Sequence, residues 1–303
     1  MLIIGSHVSF NKEQLLGSVK EALSYGANTF MFYTGAPQNT VRTEIDDFKT
    51  IEAYNMMKSL GIGLEHVVCH APYIVNLANN KDLEKYRFSI DFLIKEIERC
   101  KLLGIKNLVL HPGSAVGLDR EDALKNIIYA LNLVLDSAEG VIICLETMAG
   151  KGTEVGITTD ELKTIIDGVV KQEYVGVCLD TCHLNDSGIS IAAFDEYLDD
   201  FDRKIGIDKI KVVHINDSKN VLGSHKDRHE LIGYGTIGFE NLINVIYSPR
   251  LEGIPKLLET PYIGKTEDSK DRDYPPYKFE IEMIRSKKFN PNLKNDIRDF
   301  YSK

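Results

Sequence analysis

The chain has 303 residues, 43% of them hydrophobic and 27% charged, and its formal net charge is −9 at pH 7. This composition is typical of a globular protein, and the length is ordinary for one α/β barrel. The sequence has no apolar run of about 18 residues and no secretory signal, so we expect neither a membrane span nor export. The negative charge argues against a nucleic-acid partner unless the acidic residues bind metal ions; three divalent ions would leave a net charge of about −3.

The predicted elements form eight repeats about 35 residues long, each an apolar strand-like run followed by an amphipathic helix-like stretch. The predicted strands are 2–5, 29–33, 66–69, 107–110, 141–145, 175–180, 210–213 and 256–258. The predicted helices are 12–25, 44–60, 82–103, 121–138, 159–171 and 278–287. The longest interior loop spans about 217–237, and loops of this length are usually functional.

Strict alternation of strands and helices predicts a parallel sheet with helical crossovers, and eight units predict closure as a single (β/α)8 TIM barrel. A doubly wound open sheet is the alternative, but it would concentrate its site at one switch point. Six consecutive strand ends carry residues of the metal-ligand type, which favours the barrel. We expect one domain over 1–303, with the barrel in 1–287 and a weakly ordered tail in 288–303.

The five cysteines mostly lie in apolar runs, where a free thiol packs as a small hydrophobic group. Their number is odd, and the spacing of Cys178 and Cys182 is not that of a zinc ribbon. We therefore expect reduced thiols and a cytoplasmic protein. The cysteines are Cys69, Cys100, Cys144, Cys178 and Cys182.

Metal-ligand side chains stand at the carboxyl ends of the predicted strands, the face where such barrels carry their sites. The run 175–180 ends at Asp180, and His183 follows three residues later. Positions three apart in a strand point to opposite faces, so either the chain turns there or the two residues bind different ions. Asp227 and His229, two apart in an extended loop, would chelate one ion. The nine candidate ligands are His70, His111, Glu146, Asp180, His183, His214, Asp227, His229 and Glu259.

Nine ligands are too many for one zinc ion, which needs three or four, but suffice for three ions if a carboxylate bridges two. Clustered metals about 4 Å apart are the usual arrangement for in-line phosphoryl displacement. Histidine mixed with carboxylate favours zinc or manganese over magnesium. Of the other histidines, His7 could contact substrate or support the ligands, His66 is expected to be structural and His225 to be solvated.

The residues at the strand ends match a known family. Along nearly the whole chain, from Gly5 to Pro261, the sequence resembles endonuclease IV, the apurinic/apyrimidinic-site nuclease of DNA repair. The matching motifs are HAPYIVN at 70–76, LHPGS at 110–114, LET at 145–147, LDTCH at 179–183, HINDSK at 214–219 and DRHE at 227–230. Together these motifs are highly specific.

The resemblance implies a barrel with three zinc ions, one or more of which manganese could replace. It assigns the first ion to His70, His111 and Glu146, and the second to Asp180, His214, Glu259 and the shared Glu146. It assigns the third ion to His183, Asp227 and His229. Glu146 and Glu259 are thereby the catalytic carboxylates.

The implied activity is that of a deoxyribonuclease IV-type, metal-dependent phosphodiester hydrolase. It would cut 5′ to an abasic site, leaving a 3′-hydroxyl and a 5′-deoxyribose phosphate, and would also trim 3′-blocking groups. A hydroxide bridging the first two ions would attack phosphorus, and the third ion would stabilise the leaving oxygen. The implied partner is double-stranded DNA with abasic sites or 3′-blocked ends, with no membrane and no obligate protein partner.

Access to the lesion requires flipping it out of the stack, and side chains on the barrel loops would wedge into the gap. Tyr73 and Ile74, close behind the first metal histidine, stand at two such positions. Gapless alignment places Gln38 where some members of the family carry arginine, so no cationic wedge is expected from that loop. Lys219, Lys226 and Arg228 could contact phosphates.

Two other functions compete with the nuclease. A metal-dependent sugar isomerase of similar barrel type would use the second set of ligands alone, which leaves Asp227, His229 and the wedge residues unexplained. A lesion-binding or scaffold protein without catalysis would be expected to lose ligands, whereas all nine are present.

Overall fold

Eight of the ten strands close into a parallel barrel in the computed structural model, which describes residues 1–269 and 271–302. Each barrel strand pairs with its neighbours along the chain, and β10 closes the ring against β1, with Gly5 opposite Leu257. The strands are β1 (Ile4–His7), β2 (Thr29–Phe32), β3 (Val68–His70), β4 (Asn107–Leu110), β5 (Ile142–Glu146), β6 (Val175–Asp180), β7 (Ile210–His214), β8 (Asp217–Ser218), β9 (His229–Glu230) and β10 (Lys256–Leu258). The predicted closed barrel is confirmed.

Helices surround the barrel and cover its outer face. The described residues form α1 (Gln14–Ser24), α2 (Asp47–Leu60), α3 (Leu83–Leu102), α4 (Arg120–Val134), α5 (Thr159–Gly168), α6 (Thr181–Ser187), α7 (Phe194–Lys204), α8 (Phe239–Ile246), α9 (Tyr277–Ser286) and α10 (Leu293–Tyr301). None of these helices combines the length and the apolar character that crossing a bilayer would require.

The strands are apolar on both faces because both faces are buried. One face packs inside the barrel, where the fully buried side chains form a cluster separate from the main core. The other face packs against the helices in the main core. The inner cluster is Met31, Val68, Val109, Cys144, Cys178, Val212 and Leu257. All five cysteines are free and buried, as predicted.

The structure differs from the sequence-based expectation in several places, and the first strand begins at Ile4 rather than at Leu2. The third strand begins at Val68 rather than at His66, which lies in a 3-10 turn. The loop at 217–237 contains an antiparallel hairpin, β8 with β9. The expectation of a weakly ordered tail is wrong for α10, because this helix buries Leu293 and Ile297 completely; Lys303 lies outside the described residues.

Candidate metal centre

Glu146, at the end of β5, is the centre of the polar cluster at the carboxyl ends of the strands. Its side chain is buried, and its two oxygens face imidazoles from four different elements. Oε2 lies 3.1 Å from Nε2 of His70 and 3.1 Å from Nε2 of His111. Oε1 lies 3.2 Å from Nδ1 of His214 and 3.3 Å from Nδ1 of His183. A carboxylate so placed can share its oxygens between neighbouring cations.

A second group of ligands shares Glu146 and adds residues from β6, β7 and the end of β10. Nδ1 of His214 lies 3.1 Å from Oε2 of Glu259 and 3.8 Å from Oδ2 of Asp180. Ligand atoms of all four residues lie close enough to hold one metal ion. Parallel strands that end at one face bring these side chains together although the chain separates them widely.

The chain turns directly after Asp180, so Asp180 and His183 both face the cluster. Asp180 is the N-cap of α6, and its side chain accepts a 2.8 Å hydrogen bond from the main-chain N–H of His183. The turn, one of the two possibilities that the spacing left open, is thus observed, and it is compatible with Asp180 and His183 binding different ions. Asp180 is close to His183 and His229 as well as to His214, so it lies between two groups of ligands.

The third group joins helix α6 to the loop after β7. Nε2 of His183 lies 3.0 Å from Oδ1 of Asp227, and the same oxygen lies 3.4 Å from Nε2 of His229. Asp227 has a φ of +53°, in the left-handed region that residues other than glycine rarely adopt. All nine predicted ligands therefore lie in one connected cluster.

Main-chain carbonyls orient several of the imidazoles. Nδ1 of His70 lies 2.7 Å from the carbonyl of Ala71, Nδ1 of His183 2.8 Å from that of Thr147, and Nδ1 of His229 3.2 Å from that of Glu259. A carbonyl that accepts one ring N–H leaves the other nitrogen with its lone pair free, the usual arrangement around metal-bound histidine. Nε2 of His229 is buried without a hydrogen-bond partner. The donor set and this unpartnered nitrogen fit a divalent metal ion.

The electrostatics of the cluster also favour cations. Burial by itself would raise the pKa of the Glu146 carboxyl, but the imidazoles of His111 and His214 hold it well below its usual range. Burial disfavours charge on His183 and His214. Even so, the carboxylates of Asp180 and Asp227 raise the pKa of His183 well above the ordinary value of 6.5, and Cys178 together with Glu259 raises the pKa of His214 well above it. Four carboxylates in one cluster thus attract positive charge, which protons or metal ions can supply.

Two polar residues that the sequence analysis did not single out hold the ligands in place. Asn216 donates from Nδ2 to Oδ2 of Asp180 at 2.7 Å and accepts at Oδ1 from the main-chain N–H of Glu259 at 2.9 Å. Thr147 accepts at its hydroxyl from the main-chain N–H of Asp180 at 2.9 Å. Both stand within two residues of a predicted ligand along the chain, and this closeness is the only feature of the sequence that could have indicated their role.

His7 lies beside the cluster and outside its ligand groups. Its ring centroid is 5.2 Å from that of Tyr33, which in turn lies 4.9 Å from the ring of His70. Nε2 of His7 and the hydroxyl of Tyr33 are both buried without a hydrogen-bond partner. Burial lowers the pKa of His7, so its imidazole is neutral at pH 7.

Of the side chains predicted to contact DNA, Tyr73 lies against the cluster. Tyr73 is 57% exposed, and its ring centroid lies 5.5 Å from that of His111. Ile74 and the exposed Gln38 line one cavity of about 630 Å³, so the loops after β2 and β3 share one surface. The predicted phosphate contacts are exposed on the loop after β7; they are Lys219, Lys226 and Arg228.

A buried ion pair holds the loop that carries Gln38. Nε of Arg42 lies 2.6 Å from Oε1 of Glu96, which is completely buried on α3, and the hydroxyl of Thr34 donates to Oε2 of the same carboxylate at 2.6 Å. The Arg42 guanidinium also donates to the carbonyls of Asn39 and Val41. This pair ties the loop after β2 to the barrel.

Replacing Arg42 by methionine should destabilise the protein by about 3 to 5 kcal/mol, because it leaves the Glu96 carboxylate buried without its cation. Urea unfolding would measure the loss. The double variant Arg42→Met/Glu96→Leu is the control and should regain much of the stability. A single variant as stable as the unsubstituted protein would contradict the role of this pair.

The chain is similar to known proteins at two levels, that of the barrel fold and that of a single family. A family profile described as xylose isomerase-like TIM barrel matches residues 19–287, in agreement with the observed barrel. A D-tagatose 3-epimerase-like protein shares this fold with a TM-score of 0.64 at 17% identity, covering 99% of this chain and 100% of that chain. At this identity the likeness concerns the fold alone.

Closer similarities identify the family. A protein named probable endonuclease 4 from Ureaplasma urealyticum serovar 10 is 53% identical over 292 residues, which cover 95% of this chain and 94% of that protein. The crystal structure of endonuclease IV from Thermus thermophilus is 29% identical with a TM-score of 0.78, covering 93% of this chain and 97% of that chain. The chain belongs to the endonuclease IV family, as the sequence motifs predicted.

Proposed function

We propose that the protein is a DNA-repair nuclease that hydrolyses the phosphodiester 5′ to an abasic site and trims blocked 3′ ends. Its substrate is double-stranded DNA, and its products are a 3′-hydroxyl and a 5′-deoxyribose phosphate. The observation that carries this proposal is the single connected cluster of five histidines and four carboxylates around Glu146. A cluster with so many ligands serves several ions, and several adjacent ions suit phosphodiester hydrolysis.

The ligand groups suggest how three zinc ions, or manganese in one or more of the sites, would be held. His70, His111 and Glu146 would hold one ion, and Glu146 with Asp180, His214 and Glu259 a second. His183, Asp227 and His229, which meet at Oδ1 of Asp227, would hold a third. Three divalent ions would change the charge of the four carboxylates from about −4 to about +2. Such a site attracts the anionic DNA backbone despite the negative charge of the whole chain.

When bound, the metal ions supply a water of lowered pKa and offset the charge that develops on the phosphate. The chain contributes the fixed geometry. Main-chain carbonyls of Ala71 and Thr147 orient two of the imidazoles, and Asn216 spaces Asp180 from Glu259. Because these contacts are set before substrate arrives, little reorganisation is needed during the reaction.

Tyr73 and Ile74 are proposed to fill the space that the flipped nucleotide leaves, while Lys219, Lys226 and Arg228 hold phosphates on either side. Tyr73 is exposed and lies against His111, so an aromatic ring there would stack on a base beside the metal cluster. Gln38 shares a cavity with Ile74 and offers an amide rather than a charge to the DNA.

Substituting Tyr73 by alanine should weaken incision of abasic-site DNA by about 5- to 150-fold in kcat/KM, the equivalent of about 1–3 kcal/mol for one stacking contact. The metal content should not change, since no ligand is lost. Tyr129→Ala is the matched control, because Tyr129 is 61% exposed on α4, away from the site. Equal activity of the two variants would show that Tyr73 does not contact the DNA.

The test of the proposed function is incision of a duplex oligonucleotide carrying one abasic-site analogue, beside an undamaged control, by protein whose metals have been counted. A single cut directly 5′ to the lesion, with about three metals per chain, is the expected result. No cut with three metals bound would point to another phosphoester substrate. No cut with one or two metals would favour the sugar isomerase.

A further inference from the structure

Helix α6 carries, besides the predicted ligand His183, a buried acidic residue that the proposed chemistry does not use. Asp186 is completely buried, and no ion pair of the described residues involves it. Its Oδ1 accepts from Nδ2 of Asn185 at 3.1 Å and from the hydroxyl of Ser218 at 2.6 Å. Its Oδ2 accepts from Nδ2 of Asn220 at 3.0 Å and from the main-chain N–H of Asp227 at 2.9 Å. The last three donors all follow β7 along the chain.

The loop after β7 depends on these hydrogen bonds for its shape. The main-chain N–H of Gly223 donates to the carbonyl of Asn185, and that of His225 to the carbonyl of Asp186, each at 2.9 Å. Two of the loop's large apolar side chains, Val221 and Leu222, are 70% and 51% exposed and add little packing. Hydrogen bonds to the end of α6 therefore hold this part of the loop in place.

Asp227 is the residue that links these hydrogen bonds to the predicted metal ligands. Its φ of +53° is unfavourable for a residue with a side chain and persists only where the surroundings enforce it. The main-chain N–H of Asp227 in this conformation donates to the buried carboxylate of Asp186. Oδ1 of Asp227 then lies 3.0 Å from Nε2 of His183, on the same helix as Asp186.

We propose that Asp186 is a positioning residue for the third metal ion: it fixes the main chain of Asp227 so that Asp227 and His229 meet His183. This inference rests on the proposed function, because it presumes that the third group binds a metal. A carboxylate suits the role because all four groups that it meets act as donors: one main-chain N–H, two side-chain amides and one hydroxyl. Asparagine could keep the bond to Asp227 through its amide oxygen, whereas alanine could not.

The test is the affinity for the most weakly held zinc ion in the full-length protein, measured by competition with a chromogenic chelator. Asp186→Ala should raise the Kd of one of three zinc ions about 10- to 100-fold, the effect typical of losing a residue that supports a metal ligand. The other two ions should keep their affinity. Asp186→Asn should restore most of the loss. Where the alanine variant does not fold, Asp186→Leu fills the space without supplying an acceptor.

Leu131→Ala is the control for general destabilisation, since Leu131 is completely buried on α4, away from the loop. It should lower the Tm and leave all three zinc affinities unchanged. A folded alanine or leucine variant at position 186 with three unchanged affinities would overturn the role of Asp186. Fewer than three ions in the unsubstituted protein would instead overturn the third metal site on which this inference rests, and the incision assay would test the proposed function separately.

Discussion

Replacing Glu146 by glutamine should abolish incision of abasic-site DNA, lowering kcat by more than about 10³-fold. The carboxylate lies within 3.3 Å of nitrogen atoms from four histidines, and both its oxygens are used. An amide has one acceptor oxygen and no charge, so it cannot be shared between two cations. The metal content should fall below three ions per chain. Binding to abasic-site DNA should persist, because the proposed DNA contacts stand on the surrounding loops.

Incision rate, metal content and DNA affinity should be measured on one preparation of the Glu146→Gln variant. The matched control is Glu121→Gln, which makes the same chemical change in an exposed residue of α4 whose carboxylate pairs with Lys125 at 2.9 Å. We expect the control to cut at the normal rate. Normal cleavage by the Glu146→Gln variant would refute the assignment of Glu146 as the shared ligand.

Removing the metals should invert the dependence of stability on pH. Without metal, the pKa values of His183 and His214 lie above 6.5, because burial is outweighed at His183 by the facing carboxylates and at His214 by Cys178 and the facing carboxylates. The folded chain then binds more protons than the unfolded chain above pH 6.5. The contribution of these histidines to the free energy of unfolding is complete below pH 6.5. It is lost as the pH rises from there through the folded pKa values, at about 1.4 kcal/mol per pH unit for each histidine.

Metal-loaded protein should behave in the opposite way at mildly acidic pH. Divalent ions bind neutral imidazole, so the folded chain binds fewer protons than the unfolded chain below about pH 6.5. Stability should therefore rise between about pH 5 and 6.5 and then level off. Each ion held at a thousand times its Kd would add about 4 kcal/mol.

Urea unfolding at about pH 5, 6.5, 8 and 9, on chelated protein and on the same protein reloaded with zinc, would measure both profiles. The chelated protein also loses the contribution of Glu146 as the pH falls below the ordinary carboxyl range, since the pKa of that carboxyl is lowered in the fold. Two parallel profiles would show that these imidazoles do not bind metal.

The sequence by itself determined the barrel and the ligand types. Apolar runs buried on both faces alternate with helices, and His70, His111, Glu146 and His214 each stand at or directly after the end of such a run. Because the carboxyl ends of parallel strands meet at one face, residues far apart along the chain could be assigned to one site before any contact was known. The family motifs follow from the same residues.

Only the tertiary structure decided how those ligands are held. The turn that directs His183 toward the site depends on Asp180 capping α6, and the hairpin that brings His229 into the site depends on pairing between residues that are remote in sequence. Asp186 and Glu96 carry no sequence pattern of their own, because the hydrogen-bond partners that define their roles come from other segments of the chain. The C-terminal α10 likewise forms because Leu293 and Ile297 find an apolar surface on the folded barrel. Local patterns report which residues can bind a metal, whereas long-range contacts decide where each ligand atom points.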